Sequence, residues 1–162
     1  IPASIARRGV LYPLQTFTAG RKVDFAAIPF FIEASDAETL EAIRAVASRL
    51  SRHVFDSTAE SRAEVHLAGV FACNFVNALY GIGQQMMDRA GAPFEAIVPL
   101  IVETARKAAD SGDPAAVQTG PARRHDTSTM ERHMALLGGN PRLKRIYELI
   151  SQEIWEKTSR RK

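Results

Sequence analysis

The stretch HLAGVFACNFVNALYGI, residues 66–82, decides the fold of this chain. It is apolar nearly all round at the helical period, and it lies inside a longer helical pattern that starts at Ser57 and stops before Pro93. Ser57 and Glu60 have the spacing of a capping box. We therefore expect a helix over about 58–89, roughly 45 Å long. A helix that is apolar on all sides needs neighbours on every side.

Three polar side chains interrupt the apolar stretch: His66, Asn74 and Asn77. In a regular helix His66 and Asn77 differ by roughly 20° around the axis, and Asn74 lies within about 80° of His66. Unpartnered buried amides are costly, so these residues are either hydrogen-bonded core groups or the lining of a wet cleft. The asparagines also make the stretch a poor membrane span, and we expect no membrane partner.

The bulk composition indicates a globular protein. Of its 162 residues 46% are hydrophobic and 24% are charged. The single cysteine, Cys73, excludes an internal disulfide and fits a reducing cytoplasm, where we place the protein. Its four histidines lack the spacing of a metal site. The net charge of +3 sits largely in the tail 160–162, which we expect to be a solvated end, so no nucleic-acid partner is expected.

The N-terminal third has the pattern of an α/β domain. Residues 9–17, GVLYPLQTF, predict a strand followed by a loop, and residues 28–34, IPFFIEA, predict a second strand. Ser35 and Glu38 have capping-box spacing before a helix, and a short third strand follows at residues 53–55. Three strands are too few to cover a sheet, so residues 1–56 look like the trailing β-α-β edge of a larger domain. The first residue is not Met, and we expect an N-terminal part to be absent.

No strand pattern returns after Asp56, and residues 57–162 predict an all-α domain around the long helix. Pro99 should kink or restart the helix at 93–109, and Gly112 should end that helix. Asp113 with Pro114 should then open a short helical turn. Ser128 with Glu131, and Asn140 with Pro141, mark the last two helix starts, and the inward positions of the last helix are Leu143, Ile146, Tyr147, Ile150 and Ile154. The expected fold is mainly α, with a preceding β-α-β edge.

Two loops carry the residue types of a binding site. Gln15 and Thr16 follow the carboxyl end of the first strand, where open α/β sheets bind ligands. The loop QTGPARRHD, residues 118–126, is either a plain connection with Asp126 at a helix start or a functional loop. Its candidate ligand-binding residues are Gln118, Thr119, Arg123 and Arg124.

Lys107 lies four residues after Glu103 on a predicted helix. The two side chains form either an ordinary surface pair or, if that face meets a cleft, a place where Lys107 binds an anionic substrate.

Five blocks of sequence, taken in order, resemble a known family. They are GVLYPLQTF, IPFFIEA, HLAGVFACNFVNALY, PLIVETARKA and QTGPARRHD. Together they resemble the C-terminal portion of Rossmann-like predicted oxidoreductases whose second domain is known only as a domain of unknown function. That domain is similar to the helical C-terminal domain of 6-phosphogluconate dehydrogenase, and its relatives include pyrroline-5-carboxylate reductase and deazaflavin-dependent NADP reductases. The resemblance implies a missing N-terminal domain that binds NADP or NAD.

The resemblance also implies a site. It puts His66, Asn74 and Asn77 on a helix that faces the nicotinamide cleft. Related hydroxyacid dehydrogenases carry a lysine and an asparagine there, but no lysine falls between His66 and Asn77, so His66 is the best proton donor. Tyr12 stands where prephenate dehydrogenases have the histidine of a His-Pro turn. The expected catalytic residues are His66, Asn74 and Asn77, and the expected substrate-binding residues are Gln15, Thr16, Lys107, Gln118, Thr119, Arg123 and Arg124.

Two functions remain open at this point. The first is the substrate-binding and dimerisation portion of an NAD(P)-dependent oxidoreductase that acts on a small carbonyl or imine, with the fragment alone inactive. The alternative is a non-catalytic helical interaction module that kept the fold and lost the chemistry. Either reading predicts a homodimer built on residues 57–158, because an apolar helix needs more cover than about a hundred residues supply.

Overall fold

The computed structural model describes residues 4–159, so the basic tail at 160–162 lies outside the described residues. The chain divides into two compact units with their boundary between Met86 and Met87. The described elements are mainly helical, and the strands are confined to the N-terminal part. The predicted fold class, mainly α with a preceding β-α-β edge, is confirmed.

The first unit contains a three-stranded sheet in the order β1-β2-β3. The strands are β1 (Gly9–Pro13), β2 (Phe30–Ala34) and β3 (Val54–Asp56), and helix α1 (Ala37–Leu50) joins the last two. Strands β2 and β3 are parallel, which makes β2-α1-β3 the predicted crossover unit. Strand β1 runs antiparallel to β2, with Gly9 opposite Ala34 and Pro13 opposite Phe30.

The core of this unit lies between the sheet and α1. Phe30 and Ile32 of β2 and Ile28, two residues before Phe30, are almost fully buried, and Ala47 of α1 is buried against them. Alternate strand residues point to the same face, so this one face carries the packing. Four further apolar side chains pack around the core: Val23, Leu40, Ile43 and Val54.

One long helix, α2 (Ala59–Arg89), crosses the middle of the sequence. Its ends are regular α-helix, and residues Val70–Phe75 between them form a π-helical segment. The predicted helix over about 58–89 is confirmed. By length and composition alone α2 could cross a membrane, since its most apolar 18-residue window has mean hydropathy 1.4.

The apolar surface of α2 is exposed within the described chain. Phe71 is 61% exposed, Phe75 49% and Leu67 48%. No residue of the helix is buried among residues 4–159. The sequence indicated neighbours on every side, and the described part of the chain does not supply them.

Helix starts fall close to the predicted positions, but other residues cap them. Thr58, rather than Ser57, caps α2: its hydroxyl accepts from the Ser61 amide at 3.2 Å, and the Ser61 hydroxyl accepts from the Thr58 amide at 2.9 Å. Asp36 replaces the predicted Ser35–Glu38 box at α1, and its carboxylate accepts from the Thr39 amide at 2.8 Å. That amide is the main reason why the pKa of Asp36 is lowered. A carboxylate is the better acceptor at a helix N-terminus.

The second unit is helical throughout its described part. It contains a 3₁₀ turn at Phe94–Ala96, α3 (Val98–Ser111), α4 (Pro121–Arg124), α5 (Thr127–Leu136) and α6 (Pro141–Ser159). Pro99 lies in the first turn of α3, so it restarts a helix and does not kink one. Gly112 ends that helix in the left-handed conformation, as predicted. Residues 114–117 form a turn without a helix, which corrects the expected helical turn at Asp113 and Pro114.

Three details of this unit differ from prediction. Helix α4 lies inside the segment predicted as a loop, and its Ala122 is buried. Asp126, rather than the Ser128–Glu131 pair, caps α5 by accepting from the Thr129 amide at 3.1 Å. On α6, Leu143 is buried as expected, but Ile150 is 39% exposed.

Gly9 of β1 offers a direct test of the sheet packing. A Cβ at Gly9 would contact the Ile43 side chain and come within 2.6 Å of the Glu33 carbonyl oxygen. We expect Gly9→Ala to lower the free energy of unfolding by about 1–3 kcal/mol, because the crowding atom on β2 is backbone. Urea unfolding of the full protein measures this change.

Gly69→Ala is the matched control. A Cβ there meets only Leu14 Cδ1 at 3.8 Å, an ordinary contact, and alanine is the better helix former by about 1 kcal/mol. Its stability should be unchanged or raised. Equal losses in both variants would contradict the packing described here.

Candidate functional site

The end of β1 is fixed against the first third of α2. The Tyr12 hydroxyl lies 3.3 Å from His66 Nδ1. Leu14 Cδ1 lies 3.8 Å from the position that a Cβ atom at Gly69 would occupy. His66 and Gly69 are three residues apart and share one side of the helix. We call Tyr12, Leu14, His66 and Gly69 the strand–helix corner. Gln15 and Thr16 are the two residues that follow Leu14 in the chain.

The hydrogen bond at the corner sets what His66 can do chemically. When the phenol donates to Nδ1, the neutral imidazole carries its proton on Nε2 and can donate it to another group. When the imidazole is charged, Nδ1–H donates to the Tyr12 oxygen and Nε2–H remains available. His66 is exposed, and Tyr12 is half-buried. From the sequence, Tyr12 was notable only because it replaces the histidine of the His-Pro turn in prephenate dehydrogenases. Its hydrogen-bond partner, His66, is 54 residues away, and no sequence pattern indicated this pairing.

The direction of β1 changes the interpretation of Gln15 and Thr16. Both are exposed, and the Gln15 side chain accepts from the Thr16 amide at 2.8 Å. Since β1 is antiparallel to β2, these residues lie at the edge where β2 begins, with the Leu14 amide donating to the Pro29 carbonyl at 2.9 Å. Gln15 and Thr16 therefore lie at the amino ends of the parallel strands β2 and β3, so the rule that ligands bind at the carboxyl ends of parallel strands does not place a site at these two residues.

The π-helical segment Val70–Phe75 changes the predicted angles between His66, Asn74 and Asn77 around the helix axis. A π segment places roughly one extra residue in the turn and so shifts the helix face by about 100°. His66 and Asn77 are then separated by roughly 80°, not the 20° of a regular helix. Asn74 lies inside the segment, and both asparagines are exposed. Neither asparagine forms a side-chain hydrogen bond with the described residues, so they are not core groups of this part of the chain.

The QTGPARRHD segment is a rigid turn in the second unit. Gly120 has φ +103, His125 has φ +54, and the Asp126 amide donates to the Pro121 carbonyl at 3.0 Å. Ala122 is buried, and Arg123 and Arg124 follow it as exposed residues. Neither guanidinium forms a salt bridge within residues 4–159. The turn thus presents two arginines to solvent.

The remaining predicted residues have mainly local partners. The Gln118 side chain donates to the Thr119 carbonyl at 2.9 Å, and Gln118 lines a cavity of about 640 Å³. Lys107 pairs with Glu103 at 3.4 Å, and both side chains are more than half exposed, so the surface-pair interpretation is the one the structure favours. The amide of Thr129 is the main cause of the lowered pKa of Asp126. The cap role of Asp126 is structural.

The predicted site residues thus fall into separate groups. His66, Gln15 and Thr16 belong to the first unit and are connected through the corner, while Asn74 and Asn77 lie further along α2. Lys107, Gln118, Thr119, Arg123 and Arg124 belong to the second unit. Among residues 4–159 there is no cluster of three or more His, Cys, Asp or Glu side chains that could hold a metal ion.

Comparison with known proteins places the chain in a family. Residues 28–154 match the family described as Domain of unknown function (DUF2520). The chain belongs to this family. The DUF2520 match starts just before β2 and ends inside α6. No functionally curated protein is significantly similar to the chain.

Two solved structures share the fold of this DUF2520 protein. The crystal structure of a proposed NADP oxidoreductase, BF3122 from Bacteroides fragilis, is 44% identical with a TM-score of 0.88, and the match covers 95% of this chain and 59% of that one. Protein TM1727 from Thermotoga maritima is 23% identical with a TM-score of 0.79, covering 96% and 63%. The second likeness concerns the fold alone. The chain spans less than two thirds of either structure.

Proposed function

We propose that this chain is the substrate-binding and dimerisation portion of an NADP-dependent oxidoreductase that reduces or forms a small carbonyl or imine. The 44% identity to BF3122 supports the reaction class. The observation that carries the proposal is the hydrogen bond between Tyr12 and His66, which joins a proton-transferring side chain to the end of β1. We place the protein in solution in the cytoplasm, consistent with its single cysteine.

Residues 4–159 do not supply a pyrophosphate cradle at the start of a helix. Two helices follow a strand of the described sheet: α2 after β3 and α1 after β2. At α2 the Thr58 hydroxyl accepts from the Ser61 amide, and at α1 the Asp36 carboxylate already takes the Thr39 amide that a phosphate would use. A negative cap at that position repels phosphate. Under this proposal NADP is held mainly by protein outside residues 4–159. When bound, it supplies the hydride.

The roles of this chain's residues follow from their chemistry. His66 transfers from Nε2 the proton that accompanies hydride transfer, and Tyr12 fixes the ring by its bond to Nδ1. Asn74 and Asn77 orient the substrate oxygen or nitrogen, because a neutral amide both donates and accepts hydrogen bonds. Gln15 and Thr16 border the reacting group. Arg123 or Arg124, from the same protomer or its partner, binds a substrate carboxylate or phosphate through the planar guanidinium.

The proposed homodimer rests on the exposed surface of α2. Phe71 and Phe75 form a perpendicular ring pair with centroids 5.0 Å apart, and Leu67 and Leu79 extend the same surface. A contiguous apolar patch of this kind marks an interaction surface in a soluble protein. A second copy of the chain supplies the cover that the helix lacks.

The same surface favours the second candidate function, a non-catalytic helical interaction module. Dimerisation alone requires no proton donor and no anion-binding arginines. The two functions are distinguished by turnover in the full protein, since only the oxidoreductase oxidises reduced NADP in the presence of a carbonyl or imine substrate.

The proposed arginine role gives a specific expectation. In a screen of small keto acids and imines with reduced NADP, Arg123→Gln combined with Arg124→Gln should raise KM at least about tenfold. The reason is that the substrate loses a charge-assisted, bidentate partner. The value of kcat should change little, because the clamp binds substrate and transition state alike.

Arg106→Gln combined with Lys107→Gln is the matched control, because it also removes two exposed positive charges at adjacent positions, and Lys107 belongs to a surface pair. It should leave KM unchanged. An equal rise in KM in both variants would indicate a general charge effect, and no turnover with any substrate would support the interaction module.

A further inference from the structure

A second cavity lies wholly within the second unit, between α4, α5 and α6. Its volume of about 530 Å³ is in the range of small-molecule sites. Ala122, Met130 and Met134 give it an apolar floor. None of the residues that sequence analysis assigned to the oxidoreductase site lines it, although Ala122 and His125 flank Arg123 and Arg124 in the chain.

Two aromatic side chains on one side of α6 form a wall of this cavity. Trp155 lies with its ring centroid 4.3 Å from that of His125, and Tyr147 accepts or donates a 2.9 Å hydrogen bond with His133 Nδ1. Ser151 lies between them along the helix and is buried. Burial is the main cause of the raised pKa of Tyr147, so the phenol stays neutral. The rings are therefore held in place and present neutral aromatic surface to the cavity.

The acidic and basic side chains in the described lining of the cavity are all carboxylates. Among residues 4–159 the lining includes Glu131 and Glu148 and contains no lysine or arginine, although the chain as a whole carries a net charge of +3. Glu148 has a neighbour in Arg145 at 3.5 Å, but both side chains are at least half exposed and such a pair is weak. Aromatic faces beside carboxylates are the composition that recognises organic cations.

We propose that this cavity binds a small organic cation, an ammonium group on an apolar or aromatic body. The ammonium lies near Glu131 and Glu148 and against the faces of Trp155 and Tyr147. The apolar body fills the space over Met130 and Met134. Anions are disfavoured by the two carboxylates, and a neutral molecule of the same shape gains only the apolar contacts.

Three probes of matched shape test this proposal: 2-phenylethylammonium, 2-phenylethanol and 3-phenylpropionate. Trp155 is the single tryptophan of this chain, so its fluorescence reports on the cavity wall. The full protein is titrated with each probe, and the same titration of Trp155→Phe is subtracted. We expect saturable binding of the ammonium, at least about tenfold weaker binding of the alcohol and still weaker binding of the carboxylate.

Glutamine variants test whether Glu131 and Glu148 bind the ammonium group. Glu131→Gln combined with Glu148→Gln should weaken the ammonium about tenfold and leave the alcohol unchanged. Glu153→Gln, a carboxylate of α6 outside this cavity, should change neither. Equal affinity for the three probes, or no saturation, would overturn the proposal. So would a Trp155 signal that depends on protein concentration and not on probe, because a second copy would then fill the cavity.

Discussion

Replacing Phe71 and Phe75 together by glutamate is expected to convert the proposed homodimer to a monomer at tens of micromolar. Burying a phenylalanine side chain stabilises by about 1.5–3 kcal/mol, and roughly half of each ring is still exposed in the chain. A symmetric dimer buries four such rings, worth about 4 kcal/mol, or roughly a thousandfold in Kd. Burying the new carboxylates costs more still.

Sedimentation equilibrium measures this dissociation. Val46→Glu is the control, since Val46 is 53% exposed on α1, outside the proposed interface. It should leave the dimer intact. A wild-type protein that sediments as a monomer at tens of micromolar, or a double variant that remains dimeric, would contradict the proposed interface. Circular dichroism should show that the helix content of the double variant is retained.

Replacing His66 by glutamine is expected to lower kcat of the full protein by roughly 10²–10⁴-fold under the oxidoreductase proposal. Glutamine keeps a polar side chain at the corner but cannot transfer a proton. Tyr12→Phe retains the ring and the Leu14–Gly69 packing, so the loss should be smaller, about tenfold. NADP affinity and Tm should stay near wild type in both, because neither residue is in the core.

A readout independent of turnover separates positioning from structure. The ¹⁵N shifts of His66 report which ring nitrogen carries the proton, and Tyr12→Phe should change that distribution because the Nδ1 partner is lost. His53→Gln, an exposed histidine just before β3, is the control for turnover. If the His66 and Tyr12 variants only melt earlier, with unchanged activity per folded molecule, the corner serves packing alone.

The helix caps show where local sequence stops being sufficient. Ser57 and Thr58 are both acceptable caps by residue type. The Ser57 hydroxyl instead donates to the Ile32 carbonyl at 3.0 Å, so the sheet withdraws it from the helix and Thr58 takes the role. Ser35 likewise accepts from the Arg8 amide at 3.1 Å, which leaves Asp36 to cap α1. A contact from distant sequence moved each predicted cap by one residue.

The candidate site shows the same limit on a larger scale. Sequence analysis assigned His66 and the residues after β1 to one expected site, but it did not predict the hydrogen bond by which Tyr12 connects the end of β1 to His66. The predicted positions around α2 also assumed 3.6 residues per turn, and the π segment at Val70–Phe75 does not have that period. No sequence pattern indicated the cavity beside Trp155, because its walls come from three separate helices that only the tertiary structure brings together.

The sequence by itself determined the elements of this protein: the strands at β1, β2 and β3, helix α1, the length of α2, and the stop at Gly112. These depend on apolar period, glycine and proline, which act over a few neighbouring residues. Only the tertiary structure decided the direction of β1, the hydrogen bond from Tyr12 to His66, and the exposure of the apolar face of α2. Each of these depends on which distant segments meet, and that is fixed by long-range packing.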